Sequence, residues 1–300
     1  MPLVKAKYFF QLVALSALWG ASFMLTRIAA PALGPNLAAA LRMVMATCTL
    51  SLIMWKLGQK WPCQHWRELF LLGFLAVAGP HILYARSALE LPAGYGALLT
   101  VTSVLFGAFA SSLLKEEHLT VAKVIGCLLG LIGAALVVRL GPVEPTRSLV
   151  LAALTCMGGA AISGVSTPFL KKAIVRMEPL QITAGMHAAA VILMLPGAIY
   201  DAPQAQFSWR PLAAVSLMGF ATSGLAYWMY LRIMRHVPPM AALSSTFMST
   251  GFGVLWAVLL LGEPTGTAMA LGGALILLAC LLVMGLNPLR WLPPNLFDRS

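Results

Sequence analysis

Three ionisable residues stand inside long apolar stretches of this 300-residue sequence. In lipid, a charge is costly unless it faces a cavity or a partner, so each of these residues is a functional candidate. Arg42 could bind a carboxylate bidentately, snorkel towards the membrane surface or tie its helix to a neighbour. His81 follows Gly79-Pro80, where the helix bends either beside a water-filled cavity or in a packed kink. His187 is either a packed, hydrogen-bonded histidine or, with His81, a group that carries protons.

Hydroxyl and aromatic side chains form a second set of candidates. Thr100 and Ser103 are three residues apart and share one face of a predicted helix, as do Thr246 and Ser249 in a later helix. Such pairs either line a polar, uncharged cavity or hydrogen-bond within and between helices. Aromatic side chains could grip the apolar part of a substrate. The whole candidate substrate-binding set is Trp19, Ser22, Arg42, His81, Tyr84, Tyr95, Thr100, Ser103, Ser163, His187, Tyr227, Trp228, Thr246, Ser249 and Trp256.

Acidic residues are absent from the middle of every apolar stretch. Enzymes that work inside lipid need clustered acids, a His/Asp set or a metal, and the sequence offers none of these at such depth. The five cysteines follow no CxxC or Cys/His metal spacing, and no GxxxxGK[ST] phosphate loop is present. We therefore expect no catalytic residue, no metal, no cofactor and no ATP motor.

The composition excludes a soluble protein. Hydrophobic residues make up 60% of the chain and charged residues 10%, and the mean hydropathy is +0.88; soluble proteins average about 45–50% and about 25%. The net charge of +11 comes from basic residues that are spread thinly rather than gathered on one face, which disfavours nucleic acid as a partner. The sequence predicts a multi-pass membrane protein.

Ten stretches are long enough to span a bilayer, which takes about 20 apolar residues. Fourteen Lys and Arg residues fall on the side of the amino terminus and five on the other. Because cytoplasmic loops are enriched in basic residues, both termini are predicted to be cytoplasmic. The predicted spans are residues 8–30, 36–56, 68–87, 93–114, 120–139, 149–170, 180–200, 210–232, 240–261 and 266–286.

The two halves of the chain align with each other. A shift of 146 positions pairs Gly73 with Gly219 and Glu117 with Glu263, and a shift of 144 positions pairs Gly20 with Gly164 and Pro35 with Pro179. Each repeat has five spans, an odd number, so the second would be inserted upside down. Inverted repeats are typical of alternating access, with a substrate site near the midplane where the repeats meet. The alternative is an old duplication without functional consequence.

Stripes of small residues predict close helix packing. Gly126, Gly130 and Ala134 form a small-xxx-small ridge, and Ala268 with Gly272 forms a shorter one. The pattern fits tight packing within a monomer or a homodimer seam equally well.

Four short motifs carry a family resemblance: Trp19-Gly20, Leu41-Arg42, the turn from Glu116 to Thr120, and Gly262-Glu263-Pro264-Thr265. With them, the chain from about residue 10 to 286 resembles the two EamA repeats of the drug/metabolite transporter superfamily. Two departures touch only the turns: Lys115 replaces a glycine, and Pro264-Thr265 alters the spacing. The resemblance implies a ten-helix carrier of small metabolites, and many such carriers export amino acids.

The expected protein is therefore an all-α membrane protein of ten transmembrane helices in two inverted five-helix repeats, residues 1–146 and 147–288, with a cytoplasmic tail at 289–300. Related small multidrug exporters depend on a first-helix carboxylate, and none lies between Tyr8 and Ala30, which favours a neutral, zwitterionic or anionic substrate. We expect a secondary transporter, not an enzyme, that exports amino acids or related small polar metabolites across the bacterial inner membrane as a monomer or homodimer. The alternatives are an intramembrane enzyme acting on a lipid-linked substrate and a passive channel.

Overall fold

The computed structural model describes residues 6–114, 120–234 and 239–283, and the regular structure in this part of the chain is helical. Short 3-10 turns at Cys63–His65 and Ala202–Gln204 accompany the longer helices. These helices are α1 (Ala6–Leu33), α2 (Pro35–Lys56), α3 (Trp66–Leu72, Gly73–Ala78 and Gly79–Ser87), α4 (Ala93–Thr100 and Ser103–Leu113), α5 (Val121–Leu140), α6 (Arg147–Arg176), α7 (Pro179–Asp201), α8 (Trp209–Leu217, Met218–Leu225 and Ala226–Met234), α9 (Pro239–Leu261) and α10 (Thr267–Val283).

Seven helices of the described residues are long and apolar enough to cross a membrane: α1, α2, α3, α4, α6, α7 and α8. Shorter apolar stretches lie in α5 (Val124–Val137), α9 (Met248–Leu261) and α10 (Thr267–Ala279). The predicted all-helical multi-pass membrane protein is confirmed, whereas a total of ten crossings stays a prediction.

Helix packing in the bundle pairs elements of the first half with elements of the second. Helix α1 packs on α9 and α6 packs on α4; α2 packs on α8 and α7 packs on α3. The pairs α2–α7, α5–α10, α3–α6 and α1–α8 are the other main contacts. If helices α1 to α5 are exchanged in order for helices α6 to α10, the same set of pairings results. Matched segments of the repeat therefore make matched contacts.

Glycines allow the closest approach between α5 and α10. A β-carbon on Gly133 would lie 2.7 Å from the carbonyl oxygen of Gly272, and one on Gly272 would lie 2.7 Å from the carbonyl oxygen of Gly133. On Gly130, a β-carbon would meet Leu105 and, at 3.3 Å, Ala279. This part of the small-residue ridge therefore packs within one chain.

Helices α3 and α8 each contain a π-helical segment, at Gly73–Ala78 and Met218–Leu225. In α3 the segment precedes Pro80, which has no N–H and would clash with the carbonyl four residues back in a regular α-helix. The wider π turn relieves that clash, and Gly79 N–H donates to the Phe74 carbonyl five residues back. Single-turn π segments occur frequently at functional sites, which directs attention to the residues around these two.

Helix α4 is interrupted, although the sequence predicted one continuous helix over 93–114. The α-helical segments end at Thr100 and resume at Ser103, and Thr102 N–H donates to the Leu99 carbonyl only three residues back. In such a 3-10 turn, side chains three residues apart eclipse one another, so the interruption does not by itself separate Thr100 from Ser103, and their shared face stays a prediction. Helix α9, its counterpart, is described as unbroken.

Side chains cap helix ends at the end of the bundle where α1 stops and α2 begins. Arg27 Nη1 donates to the Leu89 carbonyl just after α3, at 2.6 Å. Asp201 Oδ2 accepts the Asn36 N–H at the start of α2, at 2.7 Å. Such partners satisfy the backbone groups that a helix terminus leaves without intrahelical bonds.

Candidate functional site

Arg42 on α2 is buried, with 9% of its surface exposed, and side-chain hydroxyls hold its guanidinium. Nε donates to Ser223 Oγ at 2.6 Å. Nη2 donates to Thr222 Oγ1 at 3.2 Å and to Ser22 Oγ at 3.3 Å. Ser22 lies on α1, whereas Thr222 and Ser223 lie in the π-helical segment of α8. The guanidinium therefore joins three helices, two from the first half of the chain and one from the second.

No acidic side chain of the described residues forms an ion pair with Arg42; ion pairs elsewhere in the described chain include His65–Glu68 and Arg176–Glu68. The contact of Nη1 is the Met218 sulfur at 3.9 Å, and a thioether is only a weak acceptor. Hydroxyls complete hydrogen bonds but carry no charge to offset a buried cation. Arg42 thus has an uncompensated charge and one nitrogen without an oxygen acceptor in this part of the chain.

The local structure of α8 explains how hydroxyls reach Arg42. Gly219, in the π-helical segment, lies against α2 so closely that a β-carbon there would be 2.6 Å from the Arg42 carbonyl oxygen. Because the two backbones approach this closely, the short side chains of Thr222 and Ser223 can contact the guanidinium. The Thr222 hydroxyl also donates to the Met218 carbonyl at 2.8 Å, which orients its lone pairs.

Helices α3 and α7 repeat this contact without a charge. A β-carbon on Gly73 of α3 would be 2.8 Å from the Met186 carbonyl oxygen on α7. The repeat pairs Gly73 with Gly219 and Met186 with Arg42. One of two equivalent positions therefore holds a cation, and the other holds a thioether.

The two histidines are held in the same tautomer. His81 Nδ1 lies 2.8 Å from the Val77 carbonyl oxygen, and His187 Nδ1 lies 2.7 Å from the Thr183 carbonyl oxygen. A carbonyl can only accept, so Nδ1 carries the proton in each case, and Nε2 of the neutral ring is an acceptor. No Nε2 partner of either ring is found in the described residues. Each imidazole thus offers one acceptor nitrogen, and Arg42 lies near enough to both rings to act on them electrostatically.

An aromatic cluster adjoins Arg42 through Thr222. The Trp19 indole N–H donates to the Thr222 carbonyl at 3.1 Å, and its ring lies 4.9 Å from that of Tyr230 and 6.2 Å from that of Tyr227. The Tyr227 ring in turn meets His187 edge-on, with centroids 5.6 Å apart. One contiguous group of side chains therefore runs from Arg42 to His187.

A smaller group lies on the side of α3 and α6. The rings of His81 and Tyr84 are 6.1 Å apart, and the Tyr84 ring packs against α6, where a β-carbon on Gly159 would be 2.7 Å from it. His81, Tyr84 and Tyr227 are each partly buried and keep part of their surface accessible. In the repeat, Ser163 pairs with Trp19 and His81 with Tyr227, so equivalent positions carry side chains of different chemistry.

Two aromatic residues of the predicted set serve as links between elements. The buried Tyr95 hydroxyl accepts the Val143 N–H at 3.3 Å, beyond the end of α5. The Trp256 indole donates to the Ala17 carbonyl at 3.1 Å, and its ring stacks on Phe252. Both contacts tie neighbouring helices, and the structure does not bring either residue to Arg42.

The hydroxyl pairs are largely used by their own helices. Thr100 donates to the Ala97 carbonyl at 3.0 Å, and Ser249 donates to the Thr246 carbonyl at 2.8 Å. The Ser103 carbonyl oxygen lies at the α4–α6 crossing, where a β-carbon on Gly164 would be 2.5 Å away. A hydroxyl lining formed by these pairs stays a prediction.

Trp228 lines a separate pocket of about 200 Å³, at the end of the bundle where α1 begins and α8 ends. The Arg232 guanidinium lies 6.0 Å from the Trp228 ring centroid, within the range of a cation–π contact. The other residues lining this pocket are Tyr8, Gln11, Leu225, Met229 and Ile233.

Sequence reasoning missed the two closest partners of Arg42 on α8. Thr222 and Ser223 precede Gly224 in a short polar run inside an apolar span, and that run is the signal that could have marked them. Tyr230 was likewise absent from the candidate set, although the repeat pairs it with the predicted Tyr84. Among the described residues, no group of three His, Cys, Asp or Glu side chains could hold a metal ion.

Known proteins resemble this chain in both sequence and fold. The chain is 38% identical over 69 residues to the uncharacterized transporter YdfC of Bacillus subtilis (strain 168); the match covers 23% of this chain and 22% of YdfC, so the chain spans about a fifth of that curated relative. A solved protein structure superposes with a TM-score of 0.68 at 20% identity, covering 95% of this chain and 100% of the other, which shows a shared fold. The EamA-like transporter family matches residues 7–139 and 150–285, nearly the whole sequence. The chain therefore belongs to the EamA-like transporter family.

Proposed function

We propose that this protein is a secondary transporter that moves amino acids or related small polar metabolites across the bacterial inner membrane, in the direction of export. The observation that carries the proposal is the buried guanidinium of Arg42, which has no acidic partner among the described residues and lies beside an aromatic cluster and two acceptor imidazoles. A substrate with a charged end, a polar group and an apolar side chain complements these three features.

Alternating access fits the exchange symmetry of the helix contacts. If helices α1 to α5 and helices α6 to α10 are inverted repeats, each can adopt the conformation of the other, and a cavity between them then opens first to one side and afterwards to the other. Gly20 of α1 meets Gly253 of α9, and Gly164 of α6 meets Gly107 of α4. These matched crossings support the proposal, because equivalent backbones meet at equivalent points. In this proposal α5, α9 and α10 also cross the membrane, giving ten spans with both termini in the cytoplasm.

The proposed substrate site combines eight of the predicted residues: Trp19, Ser22, Arg42, His81, Tyr84, Ser163, His187 and Tyr227. We add Thr222, Ser223 and Tyr230 from their contacts. The proposal assigns no catalytic residue, and the functional unit is a monomer or a homodimer.

Flux into and out of proteoliposomes tests this function. Purified protein reconstituted in liposomes is loaded with unlabelled amino acids, and exchange for external labelled amino acids is followed with and without a proton gradient. We expect saturable exchange of at least one amino acid and no flux in protein-free liposomes. Absence of flux across a full amino-acid panel contradicts the proposal.

The direction of transport needs a cellular measurement. Cells that overproduce the protein are expected to accumulate less of a labelled substrate than cells that carry an empty vector, and to release preloaded substrate faster. Faster uptake by the overproducing cells would show an importer instead.

A further inference from the structure

We infer that Nη1 of Arg42 binds a single carboxylate of the transported molecule. This inference rests on the proposed function and makes its substrate class more specific. The three nitrogens of the guanidinium differ in their surroundings. Nε and Nη2 are occupied by hydroxyl oxygens of Ser22, Thr222 and Ser223, whereas Nη1 meets only the Met218 sulfur at 3.9 Å in the described chain. The hydroxyls hold the guanidinium in place and leave the two N–H groups of Nη1 for an incoming acceptor.

The charge balance identifies that acceptor as an anion. A buried guanidinium without a counter-charge lowers stability, and a bound carboxylate supplies the missing charge together with charge-assisted hydrogen bonds. An amide or hydroxyl could accept the same hydrogen bonds but would leave the charge uncompensated. Arg42 therefore selects for a carboxylate over its uncharged analogues.

The asymmetry of the repeat limits the substrate to one such group. The position equivalent to Arg42 is Met186, which is fully buried and offers no positive charge. The described polar side chains of the neighbouring helices α3 and α6 include the acceptor nitrogen of His81 and the hydroxyls of Tyr84 and Ser163, which carry no positive charge. A second carboxylate would meet no cation there, so dicarboxylates are expected to bind poorly.

The carboxylate also fixes the orientation of the molecule. Trp19 connects to the Arg42 site through Thr222, and its ring packs on Tyr230 and Tyr227. A side chain attached to the bound carboxylate therefore has an aromatic surface beside it, which favours monocarboxylates with a large apolar group.

Ligand-induced thermal stabilisation of the purified full chain tests the inference. The probes are L-phenylalanine, L-phenylalaninamide, which lacks the carboxylate, and L-glutamate, which has a second one. For the unmodified protein we expect phenylalanine to bind at least about tenfold more tightly than the other two, as one ion-paired hydrogen-bonding contact would give. Equal affinity for phenylalanine and its amide, or no stabilisation by phenylalanine, overturns the inference.

Three variants test whether Arg42 is responsible for the preference for the carboxylate: Arg42→Met, Arg42→Lys and Arg86→Met. Methionine is the residue of the equivalent position, so Arg42→Met is expected to fold and to lose the preference for the acid over the amide. Arg42→Lys keeps the charge without the planar guanidinium and is expected to keep part of the preference for the acid over the amide. Arg86 is exposed on α3, and Arg86→Met removes the same charge outside the site and should leave the preference intact. An unchanged preference in Arg42→Met overturns the inference.

The unfolding temperature of the ligand-free variant separates a binding role from a structural one. Removing an uncompensated buried charge should leave the unfolding temperature of Arg42→Met unchanged or higher. A fall of several degrees would show that Arg42 mainly ties α2 to α8, and would count against the inference. The two proposals fail in different ways. Carboxylate selectivity without flux in liposomes contradicts the transport function alone. Flux that is unaffected by Arg42→Met contradicts carboxylate binding at Arg42 alone.

Discussion

Gly20 of α1 lies directly against Gly253 of α9: a β-carbon on Gly20 would be 2.7 Å from the Gly253 backbone nitrogen. A β-carbon on Gly164 of α6 would likewise be 2.7 Å from the backbone nitrogen of Gly107 on α4. The repeat pairs Gly20 with Gly164 and Gly107 with Gly253. The same backbone contact thus forms twice, each time between one helix of the first half and one of the second.

Gly20→Ala is expected to destabilise the protein by about 1–3 kcal/mol, since the added methyl would force two backbones apart. The measurement is the thermal unfolding of purified protein in detergent. Gly251→Ala on α9 is the matched control, because nothing lies within 4 Å of a β-carbon there. The control should be neutral or slightly stabilising through helix propensity. Equal unfolding temperatures for the two variants would contradict the crossing.

Glu263→Gln is expected to lower the unfolding temperature, with a loss of about 1–3 kcal/mol. The Glu263 carboxylate accepts the backbone N–H groups of Ala93 at 2.7 Å and Gly94 at 2.9 Å, at the start of α4. A negative charge at a helix N-terminus is favourable, and glutamine removes it. The exposed Glu90 supplies the control, since Glu90→Gln removes a charge beside the same helix end. Equal effects of the two substitutions would exclude a specific cap.

Trp19→Phe is expected to weaken substrate affinity about two- to tenfold, the range that one net hydrogen bond supports. The substitution keeps an aromatic ring beside Tyr230 but removes the indole donor to the Thr222 carbonyl. Trp256→Phe removes an indole–carbonyl bond of the same length, 3.1 Å, outside the cluster. Concentration dependence of transport should show a raised KM for the first variant and an unchanged KM for the second. The reverse pattern would place the substrate against α9.

Tyr95→Phe is expected to leave the KM unchanged and to lower the unfolding temperature slightly. The tyrosine hydroxyl accepts the Val143 N–H, and its ring packs in a cluster with Leu98 and Val137. Loss of the hydroxyl leaves one backbone donor without its partner. Transport and thermal unfolding measured on the same preparation test both parts of the expectation. A raised KM would show that Tyr95 contributes to substrate binding.

Cys63 tests the predicted orientation of the chain. It is exposed in the connection between α2 and α3, which basic residues such as Lys60 and Arg67 predict to be cytoplasmic. In a variant with Cys63 as its single cysteine, a membrane-impermeant maleimide should label inverted vesicles and spare intact cells. A cysteine placed at Glu144, in the α5–α6 connection, should show the opposite pattern. Labelling of Cys63 in intact cells would show that the orientation is opposite to the predicted one.

The sequence alone was sufficient for the protein class and for the central candidates of the site. Apolar runs of about 20 residues are a local property, so they predict membrane helices without knowledge of packing. Arg42, His81 and His187 were recognisable because an ionisable group in such a run is rare. The alignment of Gly20 with Gly164 and of Gly73 with Gly219 also needed only the sequence.

Only the tertiary structure decided which side chains meet these candidates. Ser223 is 181 positions from Arg42, and Glu263 is 170 positions from Ala93, so neither contact leaves a local signal. The interruption of α4 after Thr100 and the π-helical segment around Thr222 alter helical phase, and residue spacing in a regular α-helix cannot anticipate such shifts. Hydropathy determines that a segment enters the membrane, whereas the faces that helices present to one another depend on close packing between distant parts of the chain.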